Sequence, residues 1–597
     1  MRLAWRAVLL SSARMARRNR IHWLALALLF LAERGWALEV RETAWGFNGQ
    51  VVPGRMNPVA VRIANPGNGT FDGALTLRET AGVGGHNGAP FVQPTFLSPR
   101  SERWVQFTVF ISSGYEDFAV EWGRGARDRF TLPRPTVGPP ARVLLGDSAN
   151  PFTVGGGLKL LPDSLFPTTV AATDGLDGVV LDYAPRWEPA RREAFLDWVR
   201  RGGTVLVLPA ANGQFPQFPE PLAALNIAGD SARVGAGTVR HVSATRREAN
   251  EALFNKQGFQ TPTLEPPKQV IVYDLEQTLF QRLAQLTRPN IRWWLINSLT
   301  LLYIVVVGPV HYAWGRRLDY RVSLGGFVGC VGLFGLIFSV VGRRGYDEAQ
   351  TVHSLSIARA LGSGRADVTQ WVSAFATRGD IYTLTHPAPS NLYAVVSNEA
   401  VNGQIFNGKD GRFVADIPLY SSRQFVHRAV MQGDDPGVTV EAWESGAELM
   451  NKLVLRTGPG FPRETVEIRA RYRDHFYRLD HADGLLTIAS TDRGQTFDAF
   501  LSQTTVQQAM YNFNAEAPPG DAVAKAEADL RSAVTLLYLR AMDGRSYFSH
   551  PINRGPQPPD QLQLYVFAKS PEGFRMEGKG FGREIGYVLY VQEVVKP

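Results

Sequence analysis

The sequence predicts a multidomain α+β membrane protein, and three observations carry that reading. The chain has 597 residues, room for roughly three or four domains. Two apolar stretches of about 22 and 20 residues stand close together mid-chain, each long enough to cross a hydrocarbon core of about 30 Å. On both sides of them, short runs alternate apolar and polar residues, as half-buried strands do.

Composition narrows the function classes. The net charge of +8 points first to a polyanion partner, but its location argues otherwise. Residues 1–37 hold seven arginines against Glu33 alone, a net of +6, which leaves +2 for the rest. A body so near neutrality gives no electrostatic reason to expect nucleic acid. Cys330 is the single cysteine, so an intramolecular disulfide and any CxxC metal or redox motif are excluded.

The N-terminus predicts an export signal over residues 1–37. Arg14, Arg17, Arg18 and Arg20 precede an apolar run of about ten residues, Trp23 to Ala32, too short to span a bilayer. Gly35 and Ala37 place small residues where a signal peptidase needs them. An uncleaved anchor is the alternative.

Residues 38–135 read as a small immunoglobulin-like β-sandwich. VAVRIANPG, GALTLRET, RWVQFTVFIS and DFAVEWG alternate, and the turn clusters NPGNGT and GVGGHNG separate them. The pattern then changes over 140–265. RVLLGD, DGVVLDY and TVLVLP are short buried strands, and Pro189 to Arg201 repeats apolar residues at helical spacing. Proline opens that helix and Gly202-Gly203 closes it. Strand, helix and strand of this length imply a parallel α/β sheet. Residues 266–290 form a linker with Leu275, Leu279, Leu283 and Leu286 on one helix face, read as a short amphipathic helix at the membrane surface.

Residues 293–314 and 322–341 are the two spans of a transmembrane hairpin, with tryptophans at both ends of the first. The signal would send residues 38–290 outward, and a hairpin would return 345–597 to the same side. The expected location is therefore the bacterial inner membrane, with both large parts in the periplasm. Gly325, Gly329, Gly332 and Gly335 fall along one side of the second helix and form a candidate packing face. It serves either the first helix of the same chain or a partner in the lipid bilayer. Residues 345–597 read as β-sandwich units with one helix near 521–542.

The stretch DGVVLDYAPRWEPARREAFLDWVRRGGTVLVLP, residues 177–209, resembles the glutamine-amidotransferase-like (flavodoxin-like) domain found outside the membrane in bacterial multidomain membrane proteins. The order of sandwich, α/β domain, hairpin and β-rich C-terminal region is similar to an uncharacterised family of such proteins, as is the GRRGYDEA that follows the hairpin. Its members tend to be encoded near MoxR-type ATPases and von Willebrand factor A proteins of the aerotolerance type. The resemblance therefore implies envelope protein partners of those kinds. It supplies no activity.

Amidotransfer needs a cysteine thiolate activated by a histidine. Residues 140–265 contain no cysteine and one histidine, His241, so the domain is expected to be catalytically silent and to need no cofactor. Asp147, Ser148, Asp182 and Tyr183 stand at strand ends, where an α/β sheet binds ligands. Asp182 and Glu188 are the candidate catalytic carboxylates; ordinary helix capping and loop solvation are the simpler explanation of both. His475, Asp480, His481 and Asp483, beside Asp474, offer metal-type ligands within ten residues, yet in no fixed ligand spacing, and they also read as a strand and tight turn. GxSxG, Walker and HExxH motifs are absent. The expectation is a membrane-anchored binding or scaffold protein of the cell envelope. The alternative is an envelope hydrolase or carbohydrate-acting enzyme using carboxylates of the α/β domain or the His475–Asp483 cluster.

Overall fold

The computed structural model describes residues 38–81, 88–112, 114, 116–123, 128–147, 157–264, 275–286, 293–341, 349–396, 401–446, 448–496, 499–500, 530–531, 533–542, 552–553 and 559–597. The signal segment, Ser148 and the first half of the helix expected over 521–542 lie outside these residues.

The N-terminal part is two facing sheets. Its strands are β1 (Glu39–Trp45), β2 (Arg55–Asn65), β3 (Phe71–Ala81), β4 (Phe91–Leu97), β5 (Ser101–Ile111), β6 (Asp117–Glu121) and β7 (Arg129–Thr131). One sheet has the order β1-β2-β5; β4-β3-β6-β7 lie together in the other. The alternation read from sequence sets the packing. Val105, Phe107, Val109 and Ile111 of β5 turn inward against Val59, Val61, Leu75 and Phe118.

The α/β part contains β8 (Ala141–Gly146), β9 (Lys159–Pro162), β10 (Leu176–Leu181), α1 (Pro189–Arg200), β11 (Thr204–Val207), β12 (Ser231–Val234) and β13 (Gly237–His241). The sheet order is β9-β8-β10-β11-β13-β12, parallel throughout except for β12. Proline at the first position of α1 costs no hydrogen bond, because that N–H has no intrahelical partner. Two glycines end the helix for different reasons. Gly202 has φ of +121°, and a Cβ on Gly203 would come 2.5 Å from the buried Trp198 ring.

Next comes α2 (Leu275–Gln285). Its apolar face is the predicted one, but its partner is not a membrane. Leu275, Leu279, Phe280 and Leu283 are buried with Leu355, Trp371 and Leu537 of the C-terminal part. Each such side chain contributes roughly 1.5–3 kcal/mol relative to its exposure to water, and here it is the protein core that supplies the burial.

Two helices are long and apolar enough to cross a membrane, Trp294–Gly315 and Tyr320–Val341, 22 residues each. The first comprises α3 (Trp293–Val305), a π-helical turn at Val306–Val310 and α4 (His311–Gly315); the second is α5 (Tyr320–Val341). The π turn holds Pro309, which has no N–H to offer the preceding turn. The helices touch through Tyr303 and Phe334, with ring centroids 5.2 Å apart, and through His311 and Ser323 at 3.3 Å.

The C-terminal part is mainly strand. It comprises β14 (Thr351–Gly362), β15 (Arg365–Ala376), β16 (Asp380–Thr385), β17 (Asn391–Ala394), β18 (Gly403–Phe406), β19 (Arg412–Ile417), β20 (Ser421–Gln432), β21 (Val438–Ser445), β22 (Met450–Thr457), β23 (Thr465–Tyr472), β24 (His475–Ala482), β25 (Leu485–Ile488), α6 (Val534–Ala541), β26 (Gln561–Lys569), β27 (Glu577–Gly578) and β28 (Arg583–Val595). One long sheet runs β17-β20-β15-β14-β28-β26-β23-β24-β25-β22-β21. Its central strands are buried on both faces, and α2 and α6 cover one of them.

The parts before and after the apolar helices form one body. Ile405 of β18 pairs with Phe91 of β4. That pairing joins the N-terminal sandwich to β16, β18, β19 and β27 in a single eight-stranded sheet.

Candidate functional site

Two places gather polar chemistry: the carboxyl end of the α/β sheet, and its seam with the C-terminal part. At the first, β8 ends on the half-buried Asp147 and β10 ends on Asp182 and Tyr183. Arg246 comes across from a turn that Thr245 and Glu248 cap reciprocally. Its Nη1 lies 2.8 and 2.9 Å from the two oxygens of Asp182, and its Nη2 donates to the Leu145 carbonyl at 3.2 Å. The Tyr183 hydroxyl donates to Asp163 at 3.2 Å. Burial, reinforced by the Asp163 carboxylate, raises the Tyr183 hydroxyl well above its usual range, so it stays protonated. Glu188 stands apart on the surface, 2.8 Å from Arg191 in the first turn of α1. Asp182 and Glu188 thus each hold an arginine, and the structure does not present them as an acid–base pair.

The metal-type residues are spread along a strand. β24 places His475 and His481 on one face, six residues and about 20 Å apart. Asp480 is on the other face, and Asp483 sits in the following turn with φ of +52°. The His481 ring packs 5.1 Å from Phe461. Among the described residues, no three of His, Cys, Asp and Glu come together to hold a metal ion.

The seam holds a cluster that no sequence motif marks. Asp174 follows the turn before β10, and Arg201 caps α1. Asp367 lies on β15 and Arg428 on β20. Arg201 Nη1 is 2.8 Å from Asp174 and 2.7 Å from Asp367. Arg428 reaches Asp174 at 2.6 Å and Asp367 at 2.9 Å. Two acids and two bases are therefore cross-linked, each base touching both acids. Burial by itself would raise both carboxyls, but the Arg428 and Arg201 guanidinia overcome it and hold them below the usual carboxylate range. Asp197 of α1 adds a second bond across the seam, to Arg365 of β15. Arg540 of α6 pairs with Glu276 of α2 at 2.9 Å.

No protein-family model and no curated protein matches the chain. Its likeness to solved structures is slight. The Fcho1 Mu homology domain of Danio rerio with bound Eps15 peptide is 9% identical, over 41% of this chain and 95% of that one, at a TM-score of 0.19. The M1 zinc metallopeptidase from Deinococcus radiodurans is 10% identical over 24% of this chain and 38% of its own, at 0.12. A cycloisomaltooligosaccharide glucanotransferase from Paenibacillus sp., complexed with cycloisomaltoheptaose, is 11% identical over 66% and 70%, at 0.16. Values this low carry no argument about fold or function, so the chain's own geometry must supply it.

The helix glycines take an unexpected position. A Cβ on Gly325, Gly329, Gly332 or Gly335 would meet nothing within 4 Å. The reading in which this face packs against the first helix is thereby corrected. Tyr303, Phe334 and Phe338 form that contact instead.

A last buried cluster is histidine-rich. The His386 and His427 rings stack with centroids 3.7 Å apart, and His386 Nδ1 lies 3.0 Å from the Tyr393 hydroxyl. Burial pushes His386 down to about 3, so it is neutral at ordinary pH. No sequence motif marks these residues: Tyr393 lies on β17 and His427 on β20, whereas His386 follows the end of β16, and only tertiary packing brings the three together.

Proposed function

We propose that this chain is a membrane-anchored binding and scaffold protein of the bacterial cell envelope. The helix pair anchors it in the inner membrane, and one rigid body stands on the periplasmic side. The observation that carries this reading is the buried Asp174–Arg201–Asp367–Arg428 cluster. Its members come from both sides of the apolar helices, and they can meet only if both parts share one side of the bilayer. A body built so firmly around its own seam suits holding partners in fixed relation. The sheet order with its parallel core supports reading residues 140–265 as a flavodoxin-like, amidotransferase-like domain reused for binding. Envelope proteins are the proposed partners, including MoxR-type ATPases and von Willebrand factor A proteins.

Single cysteines at the exposed Asn68 and Glu572, in a Cys330→Ser background, test the sidedness. Both should react with an impermeant maleimide in spheroplasts; protection of one alone defeats the arrangement. Cross-linking in whole membranes, read by mass spectrometry, tests the scaffold. A stable set of envelope partners is expected, and a chain recovered only by itself overturns it.

A further inference from the structure

We propose that β5 is a docking edge for an extended acidic peptide, which adds to it as a further strand. The proposal rests on the scaffold reading and gives it a partner chemistry.

β5 is an edge strand, bonded only to β2 within its sheet. The pairing register is unbroken from Arg55 opposite Ile111 to Asn65 opposite Ser101. In an antiparallel pair, alternate residues turn their N–H and C=O groups toward and away from the partner strand. Two bonds fix the parity here. The Ile111 carbonyl accepts from Gly54 N, on the β2 side, whereas the Thr108 carbonyl accepts from Asn407 Nδ2, on the open side. Even-numbered residues therefore face outward. The backbone groups of Trp104 and Gln106 point away from β2, and among the described residues nothing pairs with them. Such an edge is a template for another strand.

Space is available in front of it. A cleft of about 700 Å³ lies between β5, the turn at 164–169 and the segment 407–409. That falls within the roughly 300–1,000 Å³ of ordinary ligand pockets. Its charge is one-sided. Arg103, Arg191 and Lys409 line it, and no carboxylate does. Arg191 is shared with Glu188, but the exposed Lys409 makes no ion pair among the described residues. A strand entering the cleft would satisfy the idle backbone groups of β5, and acidic side chains on it would meet Arg103 and Lys409.

The test uses the full chain in detergent and a fluorescein-labelled peptide of alternating glutamate and valine, as long as β5. Anisotropy should show saturable binding. Methylating alternate backbone nitrogens of the peptide should weaken it about tenfold, the expected cost of losing two or three backbone hydrogen bonds. A lysine–valine peptide should not compete, and the R103E/K409E double variant should weaken binding about tenfold or more. Gln106→Pro removes one outward donor without touching the β2 ladder. It also removes the Gln106 Nε2 bond to the Leu165 carbonyl at 2.7 Å, so weaker binding by this variant counts only when the methylated peptide shows it too. The methylated peptide gives the same information with no change to the protein. No binding, equal binding of the methylated peptide, or capture of polygalacturonate in place of the peptide would each overturn the proposal. A protein that keeps its membrane partners on cross-linking yet fails the peptide arms loses the β5 edge alone. One that binds the peptide but has no membrane partners loses the scaffold reading instead.

Discussion

Arg428 Nη2 lies 2.9 Å from each carboxylate oxygen of Asp367, and both side chains are buried. The same guanidinium holds Asp174, which is 254 positions away in sequence. Charges taken out of water stabilise a structure only when their partners stay in place. Replacing Arg428 by methionine fills similar space but leaves the two buried carboxylates bonded to Arg201, with Arg55 and Arg359 acting on them through charge. The loss should be about 3–5 kcal/mol in urea unfolding, as for other broken buried pairs. A loss below about 1 kcal/mol would mean that water reaches the cluster and screens it.

The cluster also sets an acid limit. Asp174 and Asp367 have folded values below their unfolded value of about 3.9. Their contribution is present above that value and is lost as pH falls further. Melting temperature should therefore drop steeply below about pH 4. The Asp367→Asn variant should be less stable at pH 6 and should show a shallower drop. Parallel profiles for the two proteins would count against the cluster as the cause.

Glu584 acts in the opposite direction. Burial raises its carboxyl to about 7, although the Met576 N–H at 2.8 Å and the Ser354 hydroxyl at 3.2 Å favour the ionised form. A raised acid makes the folded state hold its proton longer than the unfolded chain does. The stability is full below about pH 4.3, the unfolded value, and is lost as pH rises through 7. Glu584→Gln keeps the shape and removes the ionisation. It should gain roughly 1–3 kcal/mol on the native protein at pH 8 and little at pH 5. A difference that does not change with pH would put the cause elsewhere.

What was legible in the sequence was local. β8, β10 and β11 announced themselves as unbroken apolar runs, and α1 through its proline, its periodicity and its paired glycines. The face of α2 was read correctly, because periodicity reports which side is apolar. It does not report what covers that side, and Leu279 proved to lie under strands of the C-terminal part. The seam was invisible for the same reason. Asp174 and Arg428, like Phe91 and Ile405, are brought together by tertiary packing, which leaves no spacing to detect. Asp182 was found at its strand end, but its partner Arg246 is 64 positions on, in a stretch with no pattern of its own.

The glycine face of α5 gives a prediction in the membrane. Small residues allow helices to approach closely in lipid, and among the described residues none comes within 4 Å of a Cβ placed on this face. Gly329→Leu should leave the helix pair intact and lower the yield of cross-links from this helix to a neighbouring chain. Phe334→Ala should instead loosen the pair itself, at a cost of about 3 kcal/mol. If Gly329→Leu changes no cross-link at all, the face lies against lipid.

Asp182 separates the binding reading from the enzymatic one. A carboxylate serving as acid or base must be free to exchange a proton with a substrate. Here both oxygens are spanned by Arg246, whose other nitrogen is tied to the Leu145 carbonyl. The pair fastens the turn at Arg246–Glu248 to the ends of β8 and β10. Asp182→Asn should therefore act on stability, by about 1–2 kcal/mol, since it leaves a partly buried guanidinium short of its counter-charge. It should leave the set of cross-linked membrane partners unchanged. A hydrolytic activity on envelope glycan or peptide that follows a pH profile and vanishes in Asp182→Asn, while the variant melts like the native protein, would show that Arg246 releases the carboxylate to a substrate. The α/β domain would then be catalytic after all.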